Sequence, residues 1–348
     1  MSVKHSVRWG ILGTGWIAGI FAQGISQSQN GVLAAVASRT QAAADRFGDT
    51  FGVPLRLGSY RDLLRSPSID AVYIATPHTL HAEWTIEAAR HGKHVLCEKP
   101  LAINHAQAAE VFAAAERHGV FVMEAFMYRC HPQTTVLADL IRAGNIGKVY
   151  AIEAAFSFEA PYDPGHRLFA KALGGGAILD VGCYCISMAR LLAGAASGLP
   201  VAEPISLQAV AKIGPTSKVD EYASALLEFP GGIVATLSAG IVLQRESAVR
   251  VYGSAGTLKV PSPWWPDQSG DASQPTITRA GQADEPITIS CERDQFAIEA
   301  ETFVRCLSDR SVAAVMSRED SLNNMKALDW WRRAVGCTYE EDTVVWPR

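Results

Sequence analysis

The run VRWGILGTGWIA (Val7 to Ala18) limits what this chain can fold into more than any other stretch of its 348 residues. A short apolar strand pattern ends in glycine, and a helical pattern opens at Trp16 just after a second glycine. Strand, turn and helix with GxGxx(G/A) spacing have the form of a dinucleotide-binding turn. Gly13 permits the tight turn, Gly15 lets the backbone approach a pyrophosphate, and Ala18 is small enough for the helix to lie close to a sheet. The helix start, with Thr14, Trp16 and Ile17, offers N–H groups and a positive dipole end to phosphates.

The strand–helix rhythm repeats down the chain. GVLAAVASR, IDAVYIATP, HVLCEKP and VFVMEAF read as strands, and AAADRFGDTFG, LHAEWTIEAARHGK and NHAQAAEVFAAAERHG read as the helices between them. Alternation of this kind predicts parallel βαβ units in a doubly wound α/β sheet over residues 1–126. After Phe126 the rhythm changes. A helix from Pro132 to Ala143 leads into KVYAIEAAFSFE, and later ISLQAVAKI, EYASALLEF, GIVATLSAGIV and SAVRVYGSAGTLKV succeed one another through tight turns. Residues 127–348 are therefore expected to form an α+β domain with a large, open, mainly antiparallel sheet, one face of which packs on helices or on a second subunit. A polar, proline-rich loop spans Pro261 to Pro275, and two helical patterns close the chain.

With 48% hydrophobic and 19% charged residues the composition is that of a globular protein, and a net charge of −4 gives no reason to expect a nucleic acid or an anionic membrane as partner. No apolar run reads as long enough to span a bilayer and no signal peptide is evident, so the expected compartment is the cytoplasm. The seven cysteines form no CxxC pair and no zinc spacing, which predicts buried reduced thiols.

The second strand indicates which nicotinamide cofactor to expect. An NAD site places Asp or Glu at its end, to bind the ribose 2′-OH. Here the strand ends Ser38-Arg39-Thr40, and the nearest acid, Asp45, falls inside the next helix. An Arg fork suits the 2′-phosphate dianion, so NADP is the expected cofactor.

CEKPLA (Cys97 to Ala102) places Glu98 and Lys99 at the C-terminal end of a parallel strand, where open α/β sheets bind ligands. Further on, GGGAILDVGCYCI (Gly174 to Ile186) sets three glycines before an apolar run holding Asp180 and Tyr184, four apart and so on one face of a helix. The glycines are expected to let the chain pass close beneath the nicotinamide, where a Cβ would collide.

GTGWIA, ATPHTLH, CEKPLA, MEAFMYRCHPQ, RLFAKALGGGAILDVGCYCI and VYGSAGTLKV occur in the order found in the glucose–fructose oxidoreductase / inositol dehydrogenase family, and the chain resembles that family over nearly its whole length. Its branch with dihydrodiol dehydrogenase and NADP-dependent xylose dehydrogenase is the most similar. The resemblance implies a Rossmann domain, then a sheet domain that forms a homodimer or a dimer of dimers. It also implies hydride transfer between NAD(P) and a hydroxyl-bearing carbon of a sugar, polyol or diol. By position, Lys99 matches the family's EKP lysine, Asp180 and Tyr184 its DxGx(H/Y) element, and Ala75, Thr76, Pro77, His78 and His81 the loop under the cofactor. Arg167 matches the arginine of the family's WRL, with His166 in place of the tryptophan.

Tyrosine, with a reference pKa of about 10, suits a general acid for carbonyl reduction, and Lys99 an electrostatic clamp on the developing oxyanion. Either can be the immediate proton donor, and Asp180 would position a substrate hydroxyl or the lysine. Arg129 and His131 are further candidates to line the substrate cleft, with Arg167 also expected at the substrate and Phe158, Tyr162, Trp264 and Trp265 as candidate sugar-stacking rings. His78 and His81 form an HxxH without an evident third ligand, so no metal site is expected. Two other readings fit the same fold: an NAD-dependent glycosidase, against which Arg39 speaks, and a non-catalytic nucleotide-binding regulator, which has no use for the Lys99, Asp180 and Tyr184 set.

Overall fold

The computed structural model describes residues 6–266, 274–291, 293–309 and 315–343. Two compact units take up the chain: one holds residues 6–130, 293–309 and 315–321, the other residues 131–291 and 322–343.

The first unit is built on strands β1 (Val7–Leu12), β2 (Gly31–Ala37), β3 (Leu55–Leu57), β4 (Ala71–Ile74), β5 (His94–Glu98) and β6 (Val122–Ala125). They lie in the order β3-β2-β1-β4-β5-β6, every neighbouring pair parallel. Helices α1 (Trp16–Ser26), α2 (Gln41–Phe51), α3 (Tyr60–Arg65), α4 (His81–Arg90) and α5 (His105–Arg117) connect them, and α6 (Met127–Cys130) comes after β6. Local chemistry sets the ends. Thr40, Ser59 and Asn104 cap their helices through the side chain, and Gly52 closes α2 at φ +67°. Strand β4 is buried at every position, the mark of a parallel sheet covered on both faces. Strand order reverses between β1 and β4, the switch point at which such sheets bind ligands.

Helix α7 (Pro132–Arg142) opens the second unit, and α9 (Gln295–Ser308) returns the chain to the first. The sequence pattern placed everything beyond residue 126 in one domain, but residues 293–309 and 315–321 complete the nucleotide unit. Phe303 of α9 lies 4.9 Å from the ring of the fully buried Trp9, and Gly24 of α1 leaves room for Phe296, whose Cβ would be 2.7 Å from a Cβ at that glycine. Asp294 caps α9 by accepting from Phe296 N at 2.9 Å and Ala297 N at 3.1 Å.

The second unit carries strands β7 (Val149–Ser157), β8 (Ser206–Ile213), β9 (Asp220–Phe229), β10 (Ile233–Gly240), β11 (Val249–Gly253), β12 (Thr257–Val260), β13 (Thr276–Thr278) and β14 (Glu285–Pro286), with helix α8 (Cys183–Ala196) and, from residue 322 on, α10 (Arg318–Ala334). Their order is β14-β13-β12-β11-β7-β10-β9-β8. Pairing is antiparallel except between β7 and β10, which run parallel at the centre of the sheet. One face is buried, with Ala225, Leu227, Ala235 and Leu237 on it, and α8 lies against β7 and β10. The other face shows Val210, Leu226 and Val234, which are 73%, 47% and 39% exposed. Of the proline-rich loop, residues 267–273 lie outside the described residues.

On one point the structure corrects the sequence pattern. Within Lys171–Ala196 an 18-residue window has the mean hydropathy (1.4) of a membrane span, yet that window is wholly buried inside the protein, as a core helix is.

Candidate active site

At the nucleotide end, Gly13 adopts φ +108°, and a Cβ there would stand 2.7 Å from the Ala75 carbonyl oxygen at the switch point. Any side chain at this position is thus excluded by both backbone and packing. Gly15 is different. A Cβ there would meet nothing within 4 Å, so the space in front of the α1 N-terminus is open, and Gly15 as N-cap makes no side-chain hydrogen bond. An open cradle before exposed helical N–H groups fits a pyrophosphate. Thr14 and Ser38 share a hydroxyl–hydroxyl hydrogen bond at 3.1 Å, which ties the turn to the end of β2. Arg39 and Thr40 next to it are exposed, and Arg39 makes no ion pair among the described residues. Asp45 sits one turn into α2, where it accepts from Gln41 Nε2 at 2.9 Å.

The ends of β4 and β5 are tied together by His81. Its Nδ1 faces the Pro100 carbonyl at 2.7 Å and its Nε2 the Thr76 carbonyl at 2.9 Å, so the buried ring joins the ATPH and EKP loops. This engagement of both ring nitrogens by backbone accounts for His81 without a metal. His78 is buried as well, its ring 5.6 Å from that of His81. Glu98 accepts from the Tyr73 hydroxyl and, at 3.2 Å, from Lys99 N. Lys99 is half-buried and joined to Pro100 by a cis peptide bond. Glu124 takes the Leu101 N–H at 2.9 Å, which fixes the next residue of the turn.

Arg129, expected at the substrate, is engaged elsewhere. Its guanidinium is buried and donates to Asp320 Oδ2 at 2.7 Å and to the Val315 carbonyl at 3.2 Å, all within the first unit. A buried carboxylate 191 positions away in sequence neutralises it, which motif reading had no means to show. His131 likewise serves the backbone, capping α7 through Nδ1, which accepts from Gln133 N at 3.1 Å.

The glycine run and Asp180 belong to the second unit. Residues Ile178–Gly182 form a π-helical turn that passes directly into α8, a rare geometry concentrated at functional sites. Asp180 is buried and bonded to the more exposed Arg167, Nη1 to Oδ1 at 2.7 Å. The pair sets a positive charge directly against the carboxylate. Two of these glycines already answer a demand of the chain itself. A Cβ at Gly175 would lie 2.6 Å from the Leu168 carbonyl oxygen, and one at Gly176 (φ +116°) 2.4 Å from Asp220 Oδ1.

Tyr184 is buried in an aromatic cluster, its ring 5.2 Å from Phe156 and 5.7 Å from Trp264, both edge-on. Phe156 stacks on Trp264 at 5.6 Å, and Trp264 Nε1 donates to the Ala155 carbonyl at 3.0 Å. Trp264 is therefore core. Phe158, half-buried, meets Phe156 at 6.4 Å, and the exposed Tyr162 meets Phe169 at 5.0 Å. Trp265 is half-buried beside it in sequence, its carbonyl accepting from Ser262 Oγ at 2.9 Å. Sequence reasoning missed Phe156 and Asp220; Phe156 was legible as a ring at the sheet end, while Asp220 carried no local signal.

Comparison with known proteins agrees with both units. The NAD-binding Rossmann-fold domain of the GFO/IDH/MocA oxidoreductase family matches residues 7–126, and that family's C-terminal domain matches residues 135–259. The chain is 34% identical to the D-xylose 1-dehydrogenase (NADP(+)) 2 of Haloferax volcanii, over 93% of this chain and 95% of that protein. It is 30% identical to the trans-1,2-dihydrobenzene-1,2-diol dehydrogenase of Mus musculus, over 97% and 99%. A similar solved structure is the 3-ketoreductase KijD10 of Actinomadura kijaniata in complex with NADP and TDP-benzene, with TM-score 0.85, 31% identity, and 95% and 98% coverage. Matched in both domains and along almost the full length of these relatives, the chain belongs to the GFO/IDH/MocA family of oxidoreductases.

Proposed function

We propose that this protein is an NADP-dependent dehydrogenase or reductase acting on a hydroxyl or carbonyl carbon of a sugar, polyol or trans-dihydrodiol. One observation carries the cofactor choice: at the end of β2, where an acid would hold a 2′-OH, the chain has the exposed Arg39 with no carboxylate paired to it among the described residues. The relatives named for NADP, xylose and a dihydrodiol support the same reading. When bound, the nicotinamide supplies the hydride acceptor or donor. The backbone at Gly13 to Ile17 binds the pyrophosphate, Ser38, Arg39 and Thr40 the adenosine phosphate, and the loops of Ala75 to His78, His81 and Glu98 the nicotinamide end.

The protein's own groups handle the proton and the charge. Tyr184 gives a proton to the alkoxide formed on reduction, and takes one from the alcohol on oxidation. Lys99 holds positive charge against that oxygen, with the lysine as alternative proton donor. Asp180, paired with Arg167, accepts from a substrate hydroxyl, and Phe158 covers an apolar face of the substrate. We further propose cytoplasmic residence, in keeping with seven free cysteines, and a homodimer formed through the sheet face of Val210, Leu226 and Val234. Sedimentation at about the monomer mass alone would refute the dimer.

The test is a panel of D-xylose, other aldoses, polyols and trans-dihydrodiols with NADP+ and NAD+, monitored by absorbance of the reduced cofactor. Turnover with NADP+, lowered about 100-fold or more in Lys99→Ala and Tyr184→Phe, is the expected result. Absence of turnover, or variants as active as the parent, refutes the assignment.

A further inference from the structure

Behind the turn that carries Asp180 lies a set of buried groups with no part in the roles above. Asp220, at the start of β9, is wholly buried. Its Oδ2 accepts from Ile178 N at 2.6 Å, at the first residue of the π-helical turn. Its Oδ1 accepts from the Cys337 thiol at 3.3 Å and lies against the Cα of Gly176, where no Cβ fits. The Tyr339 hydroxyl donates to the Gly175 carbonyl. Tyr339 is itself fixed: its N–H bonds Asp342 Oδ2 at 2.9 Å, and the Arg332 guanidinium, bonded to Asp342 and Asp329, lies 5.1 Å from its ring. Tyr339, held by Asp342, thus fastens Gly175, and Cys337 fastens Asp220, from the side of the C-terminal helix.

The first N–H groups of any helix have no intrahelical acceptor, and no side chain of the preceding residue caps this one. A buried carboxylate is costly unless its oxygens are satisfied. Here both oxygens are used, one of them on the backbone two residues before Asp180. We propose that Asp220 is a positioning residue: through the Ile178 N–H, and with Tyr339 holding the Gly175 carbonyl, it fixes the π-helical turn and hence the aim of Asp180 and Tyr184. The inference rests on the roles proposed above for those two residues. A misplacement of about 1 Å is enough to cost about 100-fold in rate, so a loosened anchor is visible in kcat.

Three variants test it. Tyr339→Phe removes one hydroxyl, Asp220→Ala removes the acceptor, and Asp220→Asn retains an oxygen for Ile178 N–H. Amide exchange of peptides covering 175–186 is read by mass spectrometry, NADPH binding by fluorescence, and kcat with the best substrate of the panel. In Tyr339→Phe and Asp220→Ala, exchange in that segment is expected to rise, and kcat to fall, about tenfold or more, with NADPH affinity within about twofold. Asp220→Asn recovers most of both. Unchanged exchange in Tyr339→Phe overturns the proposal, as does faster exchange with kcat per folded molecule unchanged. If Asp180→Asn and Tyr184→Phe keep the parent kcat, or nothing in the panel turns over, the catalytic roles fail, while the exchange data still decide whether Asp220 anchors the turn.

Discussion

Replacing Asp220 by asparagine removes a buried charge while keeping the shape of the side chain, and its effect on stability depends on pH. Burial pushes the Asp220 carboxyl up from 3.8 to about 6, against the opposing pull of Ile178 N–H, Cys337 and the Arg332 guanidinium. The other titratable group facing it is the Tyr339 hydroxyl, which burial also pushes up. Between pH 3.8 and pH 6 the folded protein therefore binds more protons at this site than the unfolded chain. Stability from this group is complete below the unfolded pKa and is lost as pH rises through the folded one. The difference of about 2 pKa units corresponds to about 3 kcal/mol, of which about 1 kcal/mol is lost between pH 5 and pH 7.5. Asp70 and Glu301, whose pKa values are lowered by hydrogen bonds to Arg8 and Arg293, act in the opposite sense in both proteins and cancel in the comparison. Urea unfolding of the parent and Asp220→Asn at pH 5, 6 and 7.5 provides the assay. The stability difference is expected to move in favour of the asparagine variant by about 1 kcal/mol or more over that range. A difference independent of pH would refute the argument that Asp220 titrates in a dry interior.

Arg39→Ala is expected to weaken NADPH binding about tenfold or more and leave NADH binding unchanged, as read by fluorescence titration. Equal losses for both cofactors would place Arg39 away from the 2′-phosphate. Gly175→Ala is expected to cost about 2 kcal/mol or more in urea unfolding, because its Cβ meets backbone carbonyls rather than a movable side chain. Unchanged stability with weakened NADPH binding would instead mean that the glycine makes room for the cofactor.

The sequence was most informative where one residue type answers one local demand. Apolar runs closed by glycine or proline marked β1, β4 and β5, and Gly52 marked the end of α2 in the left-handed region. Direction within the second sheet was not legible: alternation in β7 reports which side chains face inward, not that β10 runs parallel beside it. The short β3 and α3 escaped notice because three and six residues show too little periodicity. At the candidate site the GTGWIA turn, Arg39, Lys99, Asp180 and Tyr184 were found from motif and resemblance. Their supports were not. Arg129 pairs with a carboxylate far along the chain, and the need for Gly175 and Gly176 comes from the Leu168 carbonyl and Asp220, which only the folded chain brings there.

The return of α9 to α1 bears on how the protein is made. Trp9 and Phe21 of the first unit pack edge-on at 5.4 Å, and Phe303 covers Trp9 from the far end of the chain. When residue 130 leaves the ribosome, the sheet of the nucleotide unit is fully synthesised but this face is bare. About 180 more residues must be added before α9 emerges, roughly 10 to 40 s at ordinary rates of synthesis. During that interval the growing chain presents an apolar surface to its surroundings, and chaperones that recognise such surfaces have their longest access to it. A fragment ending at residue 130 carries that exposed surface permanently.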